Sequence, residues 1–227
     1  MKLRRVVNLY VVLSAVATLL LLLVFTLKDA TDVETRSRQI ITGLFMASCL
    51  FGISLAFKPN WRWMFMKKAT ARKGRPGIDL PPKKGHHPAC GRFRRHVIST
   101  VSKVHCAGCL GLAVGAVIAI FLAVTYYIQP GFIPWNRMVP LMGLLLIAMT
   151  MAGTLSRIGT HGRLILNVIF VPGFFFIVVG VLELTGSLIF AFLTLVFCFL
   201  WLDTRIQLSR WAHHGICRRC SRTCKTY

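Results

Sequence analysis

The sequence predicts an all-α integral membrane bundle of about six transmembrane helices, with both termini cytoplasmic. Three observations predict it. Hydrophobic residues make up 56% of the 227 residues, against about 45–50% in a soluble domain. They gather into six runs, most of them near the roughly 20 residues that cross a bilayer as a helix. The cations fall almost wholly between alternate runs, as membrane topology requires.

Lys2, Arg4 and Arg5 precede the first run, Val6 to Leu27. This start resembles a signal peptide. The run is longer than the roughly 7–15 residues of a signal hydrophobic region, and no small-residue cleavage site follows, so the helix is read as uncleaved. A polar loop, Lys28 to Arg38, holds Asp29, Asp32 and Glu34. The second helix is Gln39 to Phe57. The basic segment 58–105 opens with Trp61 to Met66, whose alternating aromatics and charge suit the membrane interface. Lys67 to Lys84, rich in Gly, Pro and Lys, reads as an irregular tether.

The third helix is Ala107 to Ile128. Its Gly111-x3-Gly115 step either permits close approach of a neighbouring helix or is an incidental small-residue face. Tyr126, Tyr127 and Trp135 mark the far interface. The fourth helix is Met138 to Leu155 and the fifth is Leu164 to Leu182, with Pro172-Gly173 near its middle. Proline there frees a carbonyl, which bilayer bundles tolerate when a neighbour satisfies it. Asn167, five residues earlier, is placed to do so. Glu183, at the far end, is expected to meet water. A tight Thr185-Gly186-Ser187 turn leads to the sixth helix, Leu188 to Leu202. Asp203 and Arg205 are expected to pair at the interface. Four segments result: helices one and two (1–57), a basic loop (58–105), helices three to six (106–204) and a basic Cys/His-rich tail (205–227).

Six helices put both termini on one side. That side carries 24 Lys and Arg against four on the other. The positive-inside rule makes it cytoplasmic and suggests the plasma, or inner, membrane. Six of the eight cysteines then face a reducing compartment, where structural disulfides are disfavoured. Cys49 and Cys198 lie inside helices and act as small apolar residues.

The sharpest motif is His87-x2-Cys90-x15-Cys106-x2-Cys109. Two pairs of ligands, each two residues apart and separated by a loop of about 15–20, supply the four corners of a tetrahedral ion. His86, His96 and His105 are rival nitrogen ligands. Zinc suits the mixed N/S set, and a site closed by four ligands is structural rather than catalytic. The tail holds a second cluster: His213, His214, Cys217, Cys220 and Cys224. Counted from His214 the spacing is His-x2-Cys-x2-Cys-x3-Cys. It suits another zinc and echoes a short iron–sulfur run, the less favoured cofactor. Cys106 and Cys109 joining Cys217 and Cys220 in one four-thiolate site is a third partition. A redox dithiol at Cys106-x2-Cys109 is an alternative, since a helix N-terminus with Lys103 and Arg95 nearby stabilises a thiolate.

The stretch Cys90-Gly-Arg-Phe-Arg-Arg-His96, followed by Val104-His-Cys-Ala-Gly-Cys-Leu-Gly-Leu112, resembles a pattern in uncharacterised prokaryotic, chiefly archaeal, polytopic membrane proteins. In those a Cys-x-x-Cys pair heads a membrane helix. The tail Leu208 to Cys220 is also similar. The resemblance covers about residues 86–115 and 200–225. It implies paired cysteine sites and no activity.

The chain has no paired carboxylates, no Ser/His/Asp arrangement and no phosphate-cradling glycine loop, so an enzyme is not expected. The lack of midplane carboxylates lowers an ion-coupled transporter. The segment 58–105 carries 13 cations against Asp79 alone. Attraction to an anionic inner leaflet, worth about 1 kcal/mol per residue near the surface, accounts for this more simply than nucleic acid stacked on Trp61, Trp63 and Phe93. The function expected is a scaffold, or a docking platform for a cytoplasmic protein or membrane complex, stiffened by zinc. The alternatives are a small-solute transporter or channel with a structural metal, and a membrane thiol–disulfide oxidoreductase.

Overall fold

The computed structural model describes residues 2–28, 31–57, 83–84, 87–88, 93, 96–99, 104–134, 136–156 and 158–219. Among these residues six α-helices follow in order: α1 (Lys2–Leu27), α2 (Thr35–Phe57), α3 (Ala107–Ile128), α4 (Met138–Leu155), α5 (Thr160–Thr185) and α6 (Leu188–Arg218). All six are long and apolar enough to cross a membrane, as in a multi-pass membrane protein. Two short antiparallel hairpins precede α3. Strand β1 (Lys83–Lys84) pairs with β2 (His87–Pro88), and β3 (Val97–Ser99) pairs with β4 (Val104–Cys106). The interfacial stretch Trp61 to Met66, Trp135 and almost all of the tether 67–84 lie outside the described residues.

Helix α5 is the axis. Its apolar window is 61% buried, against 22–39% for the other five. It packs on α3, α4 and α6, while α2 lies on α3 and α1 on α6. Aromatic side chains fill the joints: Phe170 and Phe174 lie 4.5 Å apart, Phe45 meets Phe175 edge-on at 5.9 Å, and Phe174 stacks on Trp201 at 6.5 Å. The exposed leucines of α1, such as Leu9, Leu19 and Leu23, form the outward apolar face a bilayer would cover.

Small residues set how closely α3 and α5 approach. A Cβ on Gly111 would lie 2.6 Å from the Leu164 carbonyl oxygen, and one on Gly115 would overlap that of Val168. The Gly-x3-Gly step is therefore the contact face with α5. Val168 is also the residue whose carbonyl Pro172 leaves without its helical donor. That carbonyl lies against bare Gly115. Asn167 does not satisfy it, contrary to the expectation above. Its Nδ2 donates to the Arg163 carbonyl one turn back. Across α4 and α5, Gly143 faces the Gly173 backbone, and Thr150 Oγ1 lies 2.7 Å from the Leu166 carbonyl.

Polar contacts join α1 to α6. Ser14 Oγ and Thr204 Oγ1 are 2.7 Å apart and buried, and Thr204 Oγ1 also reaches the Tyr10 carbonyl at 3.3 Å. These contacts set the start of α1 beside the later half of α6. Between α5 and α6, Gly186 has φ +61°, the left-handed conformation that closes a helix most easily with glycine. Its N–H donates to the Leu182 carbonyl at 2.8 Å.

Helix α6 runs past the expected end at Leu202 to Arg218. At about 1.5 Å per residue its 31 residues span about 46 Å, so its last turns extend beyond a hydrocarbon core about 30 Å thick. No ion pair joins Asp203 to Arg205. Two positions apart, they point to different faces of one helix: Asp203 is exposed, while Arg205 turns inward.

Candidate functional site

The inward turn of Arg205 leads into a cavity of about 440 Å³ bounded by α2, α3, α4, α5 and α6. Its polar end lies at the head of α3. Strand β4 runs straight into that helix, with Cys106 as the N-cap in an extended conformation (φ −70°, ψ 125°). One turn on, Cys109 faces the same cavity, and the two approach to 3.9 Å. Gly108, between them, leaves room for α6. A Cβ there would sit 2.9 Å from Arg205 Nη2, 3.7 Å from Cys106 Sγ and 3.8 Å from Asn167 Nδ2.

Two arginines enter this end. Arg163, from the first turn of α5, faces Cys106, and Arg205 faces both cysteines and Arg163. Arg163 Nη2 donates to the Ser156 carbonyl at 3.1 Å. The buried Nε of Arg163, Nε of Arg205 and Oδ1 of Asn167 have no hydrogen-bond partner among the described residues. No Asp or Glu is among the described residues lining the cavity. Its deeper wall is apolar, with Phe45, Val171, Phe174, Leu195 and Phe199. Cys49 and Cys198, assigned no role from the sequence, also line it as buried small residues.

A histidine pair closes the same end. His96, just before β3, places Nδ1 3.2 Å from Nε2 of His213 on α6, and Phe93 packs on both rings. His96 and His213 are 8% and 5% exposed. This contact ties the hairpin before α3 to the last turns of α6.

The residues expected to bind metal divide as follows. Cys106 and Cys109 come together. Cys217 is buried on α6, and its neighbour His214 is exposed. His87 lies in β2, its side chain outside the described set, as are Cys90, Cys220 and Cys224. Among the described residues no three metal-ligating side chains form one group. The buried histidine of the tail is His213, one helical turn before Cys217. The signal that finds it is the four-residue helical spacing, legible only if α6 continues past residue 202.

The opposite end of the bundle holds a second polar cluster. Arg38 of α2 donates from Nε to the Tyr126 hydroxyl of α3 at 3.1 Å and pairs with Glu183 Oε1 of α5 at 3.3 Å. The Tyr126 hydroxyl donates to the same carboxylate oxygen. Glu183 is thus 13% exposed and enclosed by the chain, rather than open to water as its position at the end of an apolar run suggested.

Comparisons with family models, with curated proteins and with solved structures find no match. The resemblance to uncharacterised polytopic membrane proteins rests on the motif residues alone.

Proposed function

We propose that the chain is a cytoplasm-facing membrane platform in which a zinc-type Cys/His centre fixes the basic loop and the tail to the end of the bundle. The single observation that carries this reading is the 3.9 Å approach of Cys106 and Cys109 at the head of α3. Bonds of about 2.3 Å to a tetrahedral zinc would hold two thiolates about 3.8 Å apart. The pair therefore fits two corners of such a site. Two further corners would come from His87 and Cys90, or from Cys217 and Cys220. A second site would use His214, Cys217, Cys220 and Cys224. The distribution of 24 cations on the side of the termini, against four on the other, supports the cytoplasmic orientation and an anionic leaflet as partner. The His96–His213 contact supports the platform reading, because it already joins loop to tail through protein alone.

One observation favours a second reading. Arg205 lies close to both cysteines and Arg163 to Cys106, and a nearby cation offsets part of what burial costs a thiolate. In that reading Cys106 and Cys109 exchange electrons as a dithiol.

Elemental analysis of the purified protein separates the two. The platform reading expects one or two zinc per chain, lowered in a Cys106→Ser/Cys109→Ser variant. Iron with sulfide would replace it by electron transfer. Metal-free protein with a reversible Cys106–Cys109 disulfide would replace it by the dithiol.

A further inference from the structure

We infer that the cavity at the head of α3 binds an anionic phospholipid, its phosphate held by Arg163 and Arg205 and an acyl chain lying along the apolar wall.

Charge is the first argument. Arg163 and Arg205 both line the cavity, close enough to repel one another. A buried cation is costly unless an anion meets it. The chain has only six acids to offer. Asp32 and Glu34 lie between α1 and α2, at the opposite end. Glu183 is held by Arg38 and Tyr126, and Asp203 is exposed on the outer face of α6. Asp29 and Asp79 are outside the described residues. A phosphate supplies several acceptor oxygens and can take bonds from two guanidiniums at once.

Hydrogen bonding is the second. The ligand must accept from the two buried Nε–H groups and donate to Asn167 Oδ1, which is 95% buried with its residue and has no described donor. A phosphate head bearing a hydroxyl, such as phosphoglycerol, does both. Thiolates at Cys106 and Cys109 would offset charge, but they donate nothing to Asn167 and leave the apolar wall unfilled.

Shape is the third. The charged end sits where α3 and α5 begin, at headgroup level for helices of membrane length. From Arg163 to Phe174 along α5 is about 16 Å, leading down towards the bilayer interior beside Leu195 and Phe45. The cavity meets the outside between α2 and α6, where Gly52 and Phe199 line it and are exposed. A Cβ on Gly52 would meet nothing within 4 Å. A lipid of the leaflet at this end therefore has its head and tail in the right order to enter from the side.

The test uses the full-length protein in neutral detergent, with lipid binding read by native mass spectrometry. Phosphatidylglycerol should bind one per chain, at least tenfold more tightly than phosphatidylcholine with the same acyl chains. Arg163→Gln/Arg205→Gln should weaken it at least tenfold. Arg218→Gln, an exposed cation at the end of α6, should leave it unchanged. Gly52→Trp, which fills the mouth without touching the charged end, should also weaken it. Wild-type affinity in the double arginine variant or in Gly52→Trp overturns the inference. So does equal binding of phosphatidylcholine, or displacement of the lipid by equimolar inorganic phosphate. Zinc content of the same preparations reports separately on the metal reading, which can fail while lipid binding stands.

Discussion

The two ends of the bundle treat buried arginine in opposite ways. At one end Arg38, Tyr126 and Glu183, from three different helices, satisfy each other within the chain. At the other, Arg163 and Arg205 face each other and two cysteines, with unpaired Nε atoms and no carboxylate among the described lining residues. The closed cluster stabilises the join between α2, α3 and α5 and leaves nothing to offer a ligand. The open one retains charge and hydrogen-bonding capacity beside a cavity. In a chain with so few acids, two inward arginines with no acid beside them among the described residues point to an anion from outside.

Both ends depend on the contact of α3 with α5, so breaking it should have the largest effect. Gly115→Leu must push the Val168 carbonyl aside. Backbone cannot yield as a side-chain tip does, so a loss at the upper end of the overpacking range, about 3 kcal/mol, is expected. It would appear as a lowered Tm in detergent and loss of the monodisperse species. Gly43→Leu, at a position with nothing within 4 Å, should be nearly neutral. Equal losses in the two would mean that helix propensity, not close approach, governs these glycines.

Glu183→Gln sets the ends against each other. It removes the charge that meets Arg38 in a pair only 19% and 13% exposed, and breaking such a pair costs about 3 kcal/mol. Arg205→Gln removes a cation with no described acidic partner. In lipid-free protein it should cost little, or raise Tm, because the desolvation of an unmatched charge disappears. If Arg205→Gln lowered Tm as much as Glu183→Gln, the cavity end would hold an internal counter-charge and the contrast would be gone.

The number and order of the helices were legible because hydropathy alone marks membrane-length runs. The bounds of α3 and α4 were legible too. α3 starts where the Cys-x-x-Cys motif begins, and each ends where a polar or turn-forming sequence follows. The end of α6 was not. Apolarity stops at Leu202, but Asp203 to His214 contains no glycine or proline. Nothing local stops a helix there, and His213 and Cys217 fall on one face as a result. Arg38, Arg163 and Arg205 could be counted as topogenic charges from the sequence. Their partners, or lack of them, depend on helix rotation and on contacts such as Arg38 with Glu183, 145 positions away, which no local pattern encodes. The paired cysteines at the head of α3 were legible from spacing. The cavity beneath them was not, since its walls come from five separate helices.

The smallest expected effect tests the open end most directly. Asp203 is the acid nearest Arg205 in sequence, and a pair between them would neutralise half of the charge assigned to the cavity. Positions i and i+2 on a helix do not face each other, and Asp203 is exposed while Arg205 lines the cavity. Asp203→Asn should therefore stay within about 0.5 kcal/mol of the parent, as surface substitutions usually do. Its Tm should be the same at low and high salt, because no exposed pair is there to be screened. Phosphatidylglycerol binding should be unchanged or slightly tighter, since one repelling charge near the leaflet has gone. A salt-dependent loss in Asp203→Asn would place Asp203 on Arg205 and make the cavity end a second closed cluster.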